Sequence, residues 1–492
     1  MRRVPLLLLL ACRHKDAAHS GAHDSTTDSS HESSGDSSTG DVGPLLIIGG
    51  GPSGLACAGA AGQGTLYEST PFLGGRAPAG GNVVMVVDSE EQEAAGIADT
   101  VDAAVADWPS LTGAAATDET VAYLTDSRAT RDRLAALGVT FELFSRQDPI
   151  LHKQRLISVS RTTPIGIGGA LMAALPSGVT VLASTPVQSV DVEDGRVVGV
   201  EVNGERVPAG TVVVATGGFS GNPALFDPEV QTRTGLWAAS DVPGATGDAL
   251  TWANAGGWSS SHLDAIGWYF GTIGILDSAN LPLHVGINWD AEPFVIPWIW
   301  VDPAGGRYVD ETGIWSLSLS RPLDGHAGSW AIIPRDELVA AVSAPDLATL
   351  DAAAGSGSFA CDDTVAGLAT ALGVDGVGLQ ATIDTIEAER AGTALDPVNR
   401  DPQSLVPFAG RALCGFLPAR IGEKSYGGID VAMDGHVLDA SGSPIAGLYA
   451  VGEAAGMGAP GMGGLTGFDG SIGAVVWSGW RVGDALNGLG AP

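Results

Sequence analysis

Three glycines near residue 50 have the spacing of a phosphate-binding turn. Gly49, Gly51 and Gly54 directly follow the apolar run Leu45–Ile48 and precede the small-residue segment Leu55–Ala61. In a strand, turn and helix of this kind, the first glycine permits the turn and the second lets the backbone approach a pyrophosphate. The third lets the helix pack closely on the strand. The pattern therefore predicts a dinucleotide site at the start of the fold.

Pro52 and Ser53 complete this turn, at the N-terminus of a predicted helix where free N–H groups favour negative charge. Leu66 and Tyr67 predict a second short strand that ends in Glu68. Glu68 lies nineteen residues after Gly49, close to the spacing of an acid that binds a ribose hydroxyl. The combination favours a dinucleotide over an isolated phosphate.

Two further glycine-rich segments also follow predicted strands. The first comes after a hairpin with Asp194 and Gly195 at its turn. The second comes near the C-terminus and precedes a long apolar segment that predicts a helix. The predicted strands are Val187–Val192, Val197–Val202, Thr211–Ala215 and Gly447–Val451. The glycine-rich segments that follow the last two strands are 216–218 and 452–453, and the predicted helix is Ser471–Leu486.

Composition limits the function classes. The chain has 492 residues, of which 71 are Gly and 45% are hydrophobic, enough apolar material for a large core. Its formal net charge of −32 argues against nucleic acid as a partner, because phosphate binding needs clustered Lys and Arg. Four scattered Cys are too few for a disulfide framework or a CxxC metal site, and no metal site is predicted.

Several ordered motifs together resemble one known family. With Leu73–Arg76, Pro243–Leu250, Gly306–Glu311 and Tyr426–Ile429, the segments above resemble the FAD-binding domain of the fumarate reductase / succinate dehydrogenase flavoprotein superfamily. Soluble fumarate reductases and ketosteroid dehydrogenases belong to this group. The resemblance covers roughly residues 45–487. It implies non-covalently bound FAD and an FAD-dependent oxidoreductase that reduces or dehydrogenates a C–C bond.

The resemblance also implies a fold class and a domain organisation. The expected fold is α/β, with a discontinuous Rossmann-like FAD-binding domain at residues 44–235 and 415–488. An α+β capping domain, residues 236–414, would be inserted between the two parts. Helical stretches are predicted within it at Thr364–Leu372 and Leu379–Arg390. The substrate would lie between cap and flavin, where domain interfaces form clefts.

The residues implied to bind FAD fall into the same glycine-rich segments. The turn would hold the pyrophosphate and Glu68 the adenosine ribose. Later segments would lie by the diphosphate, the isoalloxazine ring, the adenine and the ribitol. The full set is Gly49, Gly51, Pro52, Ser53, Gly54, Glu68, Gly74, Gly75, Arg76, Gly80, Gly81, Val187, Thr216, Gly217, Gly452 and Glu453.

The family's catalytic residues do not carry over. In soluble fumarate reductases one Arg donates the proton and another clamps the substrate carboxylate; the matching positions here hold Trp315 and Gly461. A dicarboxylate needs bidentate cationic partners, so a larger or less charged small-molecule substrate is expected. For each replacement acid or base, the alternative is a structural hydrogen bond or a surface charge. The candidates are Tyr269, Tyr426, Lys424 and Arg321, followed by His326.

Two other functions remain open. Because both arginines are replaced, a flavin-carrying binding or electron-transfer lipoprotein without turnover is the alternative to an enzyme. An NAD-dependent dehydrogenase is disfavoured, since the segments Leu73–Arg76 and 452–453 match FAD proteins. The electron donor or acceptor is not indicated by any motif.

The N-terminus predicts export. Residues 1–12 combine a basic start with the apolar run Leu6–Leu10, and Leu9–Cys12 resembles a bacterial lipobox. An ordinary secretory signal, or a chance apolar start, is the alternative. Residues 13–43 are rich in Ser, Asp, Thr and His and predict a disordered tether. The expected location is therefore extracytoplasmic (periplasmic or cell envelope), with the only membrane contact a lipid anchor on Cys12.

Overall fold

A computed structural model describes most of the chain beyond residue 42. The described residues are 43–76, 82–112, 115–144, 153–160, 166–225, 237–238, 244–276, 282–284, 297–311, 326, 328–341, 359–398, 400–456 and 471–487. The predicted signal and nearly all of the predicted tether lie outside them. No helix among the described residues is both long and apolar enough to cross a bilayer.

The elements of the described residues are as follows. The strands are β1 (Leu45–Ile48), β2 (Gly64–Tyr67), β3 (Val83–Met85), β4 (Phe141–Leu143), β5 (Leu156–Val159), β6 (Val179–Leu182), β7 (Val187–Glu193), β8 (Arg196–Val202), β9 (Glu205–Pro208), β10 (Thr211–Val214), β11 (Trp237–Ala238), β12 (Ser260–Ser261), β13 (Ile266–Leu276), β14 (Pro282–His284), β15 (Ile299–Val301), β16 (Trp330–Pro334), β17 (Phe359–Asp362), β18 (Leu413–Phe416), β19 (Pro418–Ser425), β20 (Gly428–Ile429), β21 (His436–Leu438) and β22 (Pro444–Ala450). The helices are α1 (Pro52–Ala61), α2 (Glu90–Ala94), α3 (Val101–Thr112), α4 (Asp118–Ala136), α5 (Ile167–Ala173), α6 (Asp248–Gly256), α7 (Arg335–Ala341), α8 (Val365–Leu372), α9 (Gly376–Arg390) and α10 (Ile472–Leu486), with short 3-10 turns at Pro223–Leu225, Pro402–Ser404 and Gly452–Ala454.

The central sheet has nine strands in the order β6-β2-β1-β10-β22-β8-β7, with β21 beside β22 and β9 beside β8. The five strands from β6 to β22 are mutually parallel, so their carboxyl ends meet at one edge. Their side chains form a dry core: Ile47 and Val213 are both 0% exposed. An apolar run buried on both faces is typical of a parallel sheet.

Helices α1 and α10 lie against each other beside this sheet. A Cβ atom on Gly479 would overlap the Ser53 carbonyl oxygen, and one on Gly483 would overlap that of Cys57. Two glycines four residues apart therefore let α10 approach the backbone of α1. Since α1 is composed of small residues and almost wholly buried, this close contact replaces side-chain interdigitation.

An antiparallel sheet of order β3-β5-β4, together with α2 to α5, lies in the chain between β2 and β6. A buried ion pair stabilises it: the Arg155 guanidinium donates to Asp99 at 2.7 and 2.9 Å and to Asp107 at 2.7 Å. Asp99 has a lowered pKa, because hydrogen bonds from Arg155 and Gln92 outweigh the effect of burial.

Residues between β10 and β21 form two four-stranded sheets and one small pair. One sheet has the order β11-β19-β13-β14, the other β15-β16-β18-β17, and β12 pairs with β20. Helices α8 and α9 cover the second sheet, with Leu379, Ile383 and Ile386 in its core.

A disulfide joins Cys361 of β17 to Cys414 of β18, which are register partners on adjacent antiparallel strands. The two cysteines are 53 residues apart in sequence. Scattered cysteines predict no disulfide framework, and that expectation misses this bond because only the strand register brings the two side chains together.

Candidate functional site

The predicted glycine-rich segments converge at the carboxyl edge of the central sheet. We use "carboxyl edge" for the residues that follow β1, β2, β10 and β22, namely 49–54, 68, 215–218 and 451–453. Because these strands are parallel neighbours, segments up to 400 residues apart in sequence end side by side. Val187 also lies at this edge, since β7 runs antiparallel to β8 and Val187 pairs with Val202.

The glycine turn packs closely against the protein at Gly49 and Gly54 and leaves space beside Gly51. Gly49 has a φ of 111°, a conformation that favours glycine, and a Cβ on Gly54 would overlap the Gly49 carbonyl oxygen. Among the described residues, a Cβ on Gly51 would by contrast meet only the Gly75 Cα, at 4.0 Å. The space before Gly51 is therefore available to a ligand that approaches the backbone.

The N-terminus of α1 faces the same space. Gly51 is its N-cap, Pro52 is its first residue, and no side chain in the described part of the chain caps the helix. Its first turn also lacks an acidic residue. N–H groups at such a terminus have no intrahelical partners, and they favour a bound anion.

Residues 73–76 lie over the glycine turn. The Gly74 N–H donates to the Gly50 carbonyl at 2.8 Å, which fixes the loop beside the turn. Arg76 Nη1 donates to Ser220 Oγ at 3.1 Å, so the guanidinium lies near the segment that follows β10. Gly80 and Gly81 lie outside the described residues.

Glu68 is held at the end of β2 with its carboxylate against the turn. Its Oε2 accepts the Gly50 N–H at 2.8 Å and its Oε1 accepts the Thr70 N–H at 2.7 Å. Only 8% of Glu68 is exposed. Oε1 also accepts from Ser69 Oγ at 3.3 Å, whereas Oε2 has a second lone pair and can still accept a hydrogen bond from a ribose hydroxyl.

Thr216 carries a buried hydroxyl that forms no hydrogen bond among the described residues. Buried polar atoms nearly always have a partner, and an unpaired one calls for an explanation. Thr216 follows β10 directly and precedes Gly217, whose φ is 79°. A polar ligand at the carboxyl edge would supply the missing partner.

Gly452 and Glu453 begin the short turn after β22. The Gly452 N–H donates to Ser478 Oγ at 2.9 Å, and a Cβ on Gly452 would overlap the Ser53 side chain. Glu453 thus lies close to the N-terminus of α1. Its Oε1 accepts the Ser425 N–H at 2.7 Å.

The catalytic candidates are only partly described. Tyr426 is 1% exposed and packs against Ala265 and Val475, and Lys424 Nζ lies 5.4 Å from the centroid of the Tyr426 ring. The backbone of Tyr269 pairs with Ile421 of β19, but its side chain lies outside the described residues.

The remaining candidates do not join this group. Arg321, Trp315 and Gly461 lie outside the described residues. His326 stacks on Tyr308, with ring centroids 4.0 Å apart, and its Nδ1 is 3.7 Å from Asp302. The structure therefore brings Lys424 and Tyr426 close to Glu453 and places His326 in a separate surface contact.

The motif Gly306–Glu311 has a structural role. Glu311, 0% exposed, accepts from Arg307 Nη2 at 2.8 Å and from Arg400 Nη1 at 2.9 Å. Arg307 also donates to Asp396 at 2.7 Å. The charges of Arg307 and Glu311 are thus paired within the fold, and the Trp300 N–H also donates to Glu311 Oε1 at 2.8 Å, so these two residues of the motif anchor β15.

Ser425 is a site residue that the sequence pattern does not select. Lys424 and Tyr426 stand out as candidate acids or bases, whereas a serine between them carries no spacing signal. Its contacts with Glu453 and Phe219 become visible only in the folded chain.

Comparison with known proteins assigns the ligand of the carboxyl edge. The profile of the FAD binding domain family matches residues 45–468. The chain belongs to this family. FAD is its cofactor. Three features of the described residues fit that group: the space next to Gly51, the lack of a capping side chain on α1, and the Thr216 hydroxyl without a hydrogen-bond partner.

Individual relatives are more distant. A urocanate reductase of Eggerthella lenta is 28% identical over 261 residues, which are 50% of this chain and 40% of that protein. The chain thus matches less than half the length of this relative.

Solved structures share the fold. A 3-ketosteroid Δ1-dehydrogenase of Sterolibacterium denitrificans superimposes with a TM-score of 0.71 at 20% identity, over 90% of this chain and 99% of that one. A flavocytochrome c3 fumarate reductase in an open conformation gives 0.64 at 20% identity, over 92% and 79%.

Proposed function

We propose that the protein is an FAD-dependent oxidoreductase that adds or removes hydrogen across a C–C bond of a partly apolar small molecule. The carboxyl edge carries the proposal: four separate segments converge there on a site that fits FAD, within a family match that spans most of the chain. Proteins similar to this chain are named as a urocanate reductase, a ketosteroid dehydrogenase and a fumarate reductase. All three names describe chemistry at a C–C bond.

Bound FAD would accept or donate the hydride. The chain itself must hold or supply the proton that accompanies it. Lys424 is our candidate for this role, because its ammonium stands beside Tyr426 and one residue before the serine that contacts Glu453. The buried Tyr426 ring would restrict the ammonium to one side of the cleft.

The substrate class rests on what the sequence lacks. Trp315 and Gly461 stand where fumarate reductases have arginines, so neither position can clamp a carboxylate bidentately. Three tryptophans of this region, Trp258, Trp298 and Trp300, are at most 6% exposed and belong to the core. Trp268, Trp289 and Trp315 remain as candidates for apolar cleft walls.

We also propose the domain division 44–235, 236–414 and 415–488. The central sheet takes strands from both ends of the chain, β1, β2 and β6 to β10 from the first part and β21 and β22 from the last, which supports a discontinuous FAD-binding domain. The β11-β19-β13-β14 and β15-β16-β18-β17 sheets draw mainly on residues between them, which supports an inserted cap.

The test of the function uses the purified holoprotein. A flavin spectrum that survives gel filtration is expected, followed by bleaching with a saturated ketosteroid or reoxidation of the reduced flavin by an enone, urocanate or fumarate. Lys424→Met should retain the flavin and lose turnover, whereas the control Lys153→Met should keep both, since Lys153 Nζ contacts Asp99 and the Ala98 carbonyl. A bound flavin that no substrate reduces or reoxidises would leave the alternative, a flavin-carrying or electron-transfer protein without turnover.

We further propose an extracytoplasmic location with a lipid anchor on Cys12. The Cys361–Cys414 disulfide supports it, because disulfides persist in oxidising compartments. Burial and the charge of Asp484 raise the pKa of Cys57 to about 12, so this thiol stays protonated. Mature protein that is unfolded without reductant should then titrate a single thiol, that of Cys57. Four titratable thiols in freshly isolated protein would contradict both parts of the proposal.

A further inference from the structure

Ser425 joins two parts of the fold at the carboxyl edge. It is the last residue of β19, is 0% exposed, and pairs with Ile266 of β13, the strand that also carries Tyr269. The chain then passes through Tyr426 to β20, which pairs with β12. Ser425 is therefore the point at which the β13–β19 sheet reaches the FAD site.

Ser425 makes three hydrogen bonds there. Its N–H donates to Glu453 Oε1 at 2.7 Å, and its hydroxyl donates to the same oxygen at 3.2 Å. The hydroxyl oxygen in turn accepts the Phe219 N–H at 3.2 Å. One buried serine thus connects β19, the segment that follows β10 and the turn that follows β22.

Glycines make room for this arrangement. A Cβ on Gly218 would overlap both Ser425 Oγ and Glu453 Oε1. A Cβ on Gly428 would come within 2.5 Å of the Ala454 carbonyl oxygen and 2.6 Å of the Gly456 nitrogen. The three segments therefore meet with almost no side chain between them, and the Ser425 hydroxyl is one of the few polar groups at their junction.

The contacts orient the Glu453 carboxylate. Two donors from one residue fix Oε1, and hydrogen bonds to a carboxylate are stronger than neutral ones. Among the described residues, no group donates to Oε2. Oε2 is thus the oxygen that would be available to accept a hydrogen bond from a hydroxyl group of the cofactor.

We propose that Ser425 is a positioning residue for FAD: it holds Glu453 so that Oε2 faces the cofactor. The proposal rests on the assignment of FAD to the carboxyl edge and not on turnover. It assigns to β19, the strand that ends in Lys424 and Ser425, an influence on flavin affinity that acts through Glu453.

The first experiment measures the dissociation constant of FAD for Ser425→Ala. Holoprotein is diluted stepwise and the released FAD is followed by its fluorescence. Losing one charge-assisted hydrogen bond should weaken FAD binding about tenfold. The backbone N–H bond to Oε1 remains, so some affinity should persist.

A double-mutant cycle separates positioning from general destabilisation. In the Glu453→Ala background, Ser425→Ala should cause less than about a twofold further loss of FAD affinity, because the group it positions is absent. Ser127→Ala is the matched control: Ser127 is also 0% exposed and its Oγ also accepts a backbone N–H, that of Val87, at 3.0 Å. This control should leave the dissociation constant of FAD unchanged.

Two results would overturn the proposal. A wild-type dissociation constant in Ser425→Ala would show that the hydroxyl does not position Glu453, and equal losses in both backgrounds would show an effect independent of Glu453. If Ser425→Ala does not fold, Ser425→Cys, with a similar size and a weak donor, takes its place. Failure of both to fold would also overturn the proposal, as it would show a purely structural role. None of these outcomes depends on whether a substrate is found.

Discussion

The carboxyl edge and the Arg307–Glu311–Arg400 cluster both remove polar groups from water, but they do so in opposite ways. At the edge, the Thr216 hydroxyl lacks a partner among the described residues and the space before Gly51 is open. In the cluster, Arg400 donates to Glu311 at 2.9 Å, to the Trp298 carbonyl at 3.1 Å and to the Ser404 carbonyl at 2.7 Å. Buried donors and acceptors that lack partners within the protein indicate a ligand, whereas buried groups that all bond to one another stabilise the fold.

The charge balance of the cluster completes the comparison. Arg307 and Arg400 face the carboxylates of Glu311 and Asp396. Glu389 borders the cluster but does not share its hydrogen bonds: both of its buried carboxylate oxygens lack a hydrogen-bond partner among the described residues, and Arg307 Nη1 lies 3.5 Å from Oε2. Burial and repulsion from Asp396 raise the pKa of Glu389 to about 7. Burial alone would raise the pKa of Asp396, but hydrogen bonding to Arg307 and its positive charge lower it. Two cations thus balance two anions, and Glu389, with a pKa of about 7, is only partly ionised in neutral solution.

The largest expected effect comes from breaking the closed cluster. Arg400→Met would leave Glu311 buried with one cation fewer, and should lower the free energy of unfolding by about 3–5 kcal/mol. Urea unfolding followed by circular dichroism measures it. The control Arg128→Ala removes an exposed pair with Asp88 and Glu93 and should cost less than about 1 kcal/mol. Equal losses in the two variants would remove the distinction between a closed cluster and a surface pair.

A smaller effect, on binding and not on folding, is expected at the open edge. Gly51→Leu should weaken FAD binding by about a hundredfold, since its side chain would occupy the space before the turn. The stability of the apoprotein should change little, because within the described part of the chain the new Cβ would have no atom within 4 Å except the Gly75 Cα, at 4.0 Å. Fluorescence of released FAD and urea unfolding of the apoprotein measure the two quantities.

Gly59→Ala is the control for this variant on the same helix. Its Cβ would have no described atom within 4 Å, and the substitution should stabilise the fold by about 0.5–1 kcal/mol without affecting FAD. If Gly51→Leu retained wild-type FAD affinity, the pyrophosphate would not lie on this turn.

The smallest effect concerns pH. A raised carboxyl pKa means that Glu389 favours the folded state below its unfolded pKa of 4.5, and that this contribution is lost as pH rises through about 7. Glu389→Gln should therefore raise the free energy of unfolding at pH 8, relative to wild type, by of the order of 1 kcal/mol. At pH 5 the two proteins should differ little.

Unfolding curves at several pH values measure this difference. Asp384→Asn, an exposed change on the same helix, should leave the pH dependence as it is. A Glu389→Gln variant with the pH dependence of wild type would show that Glu389 is already ionised in the folded protein at neutral pH.

The local sequence pattern was sufficient to predict the strands and helices that carry the cofactor motifs. The run Leu45–Ile48 is a strand with those bounds, Thr211–Ala215 is a strand one residue shorter, and Ser471–Leu486 is a helix that begins one residue later. In each, a short apolar run is bounded by glycine or a polar residue, so periodicity and turn chemistry both mark its ends. The elements of residues 82–173 carry no such motif, and the sequence did not indicate them.

By itself, the sequence predicted a dinucleotide site and the glycines expected to approach it, because spacing within one turn is a local property of the chain. The resemblance of several ordered motifs to one family narrowed the dinucleotide to FAD. Only the tertiary structure determined which residues that are distant in sequence come into contact. Strand register paired Cys361 with Cys414, and parallel order brought Glu68, Thr216 and Glu453 to one edge. The same convergence placed Ser425 against Glu453, 28 residues away in sequence. Such contacts depend on how whole sheets pack, and no short segment of sequence encodes them.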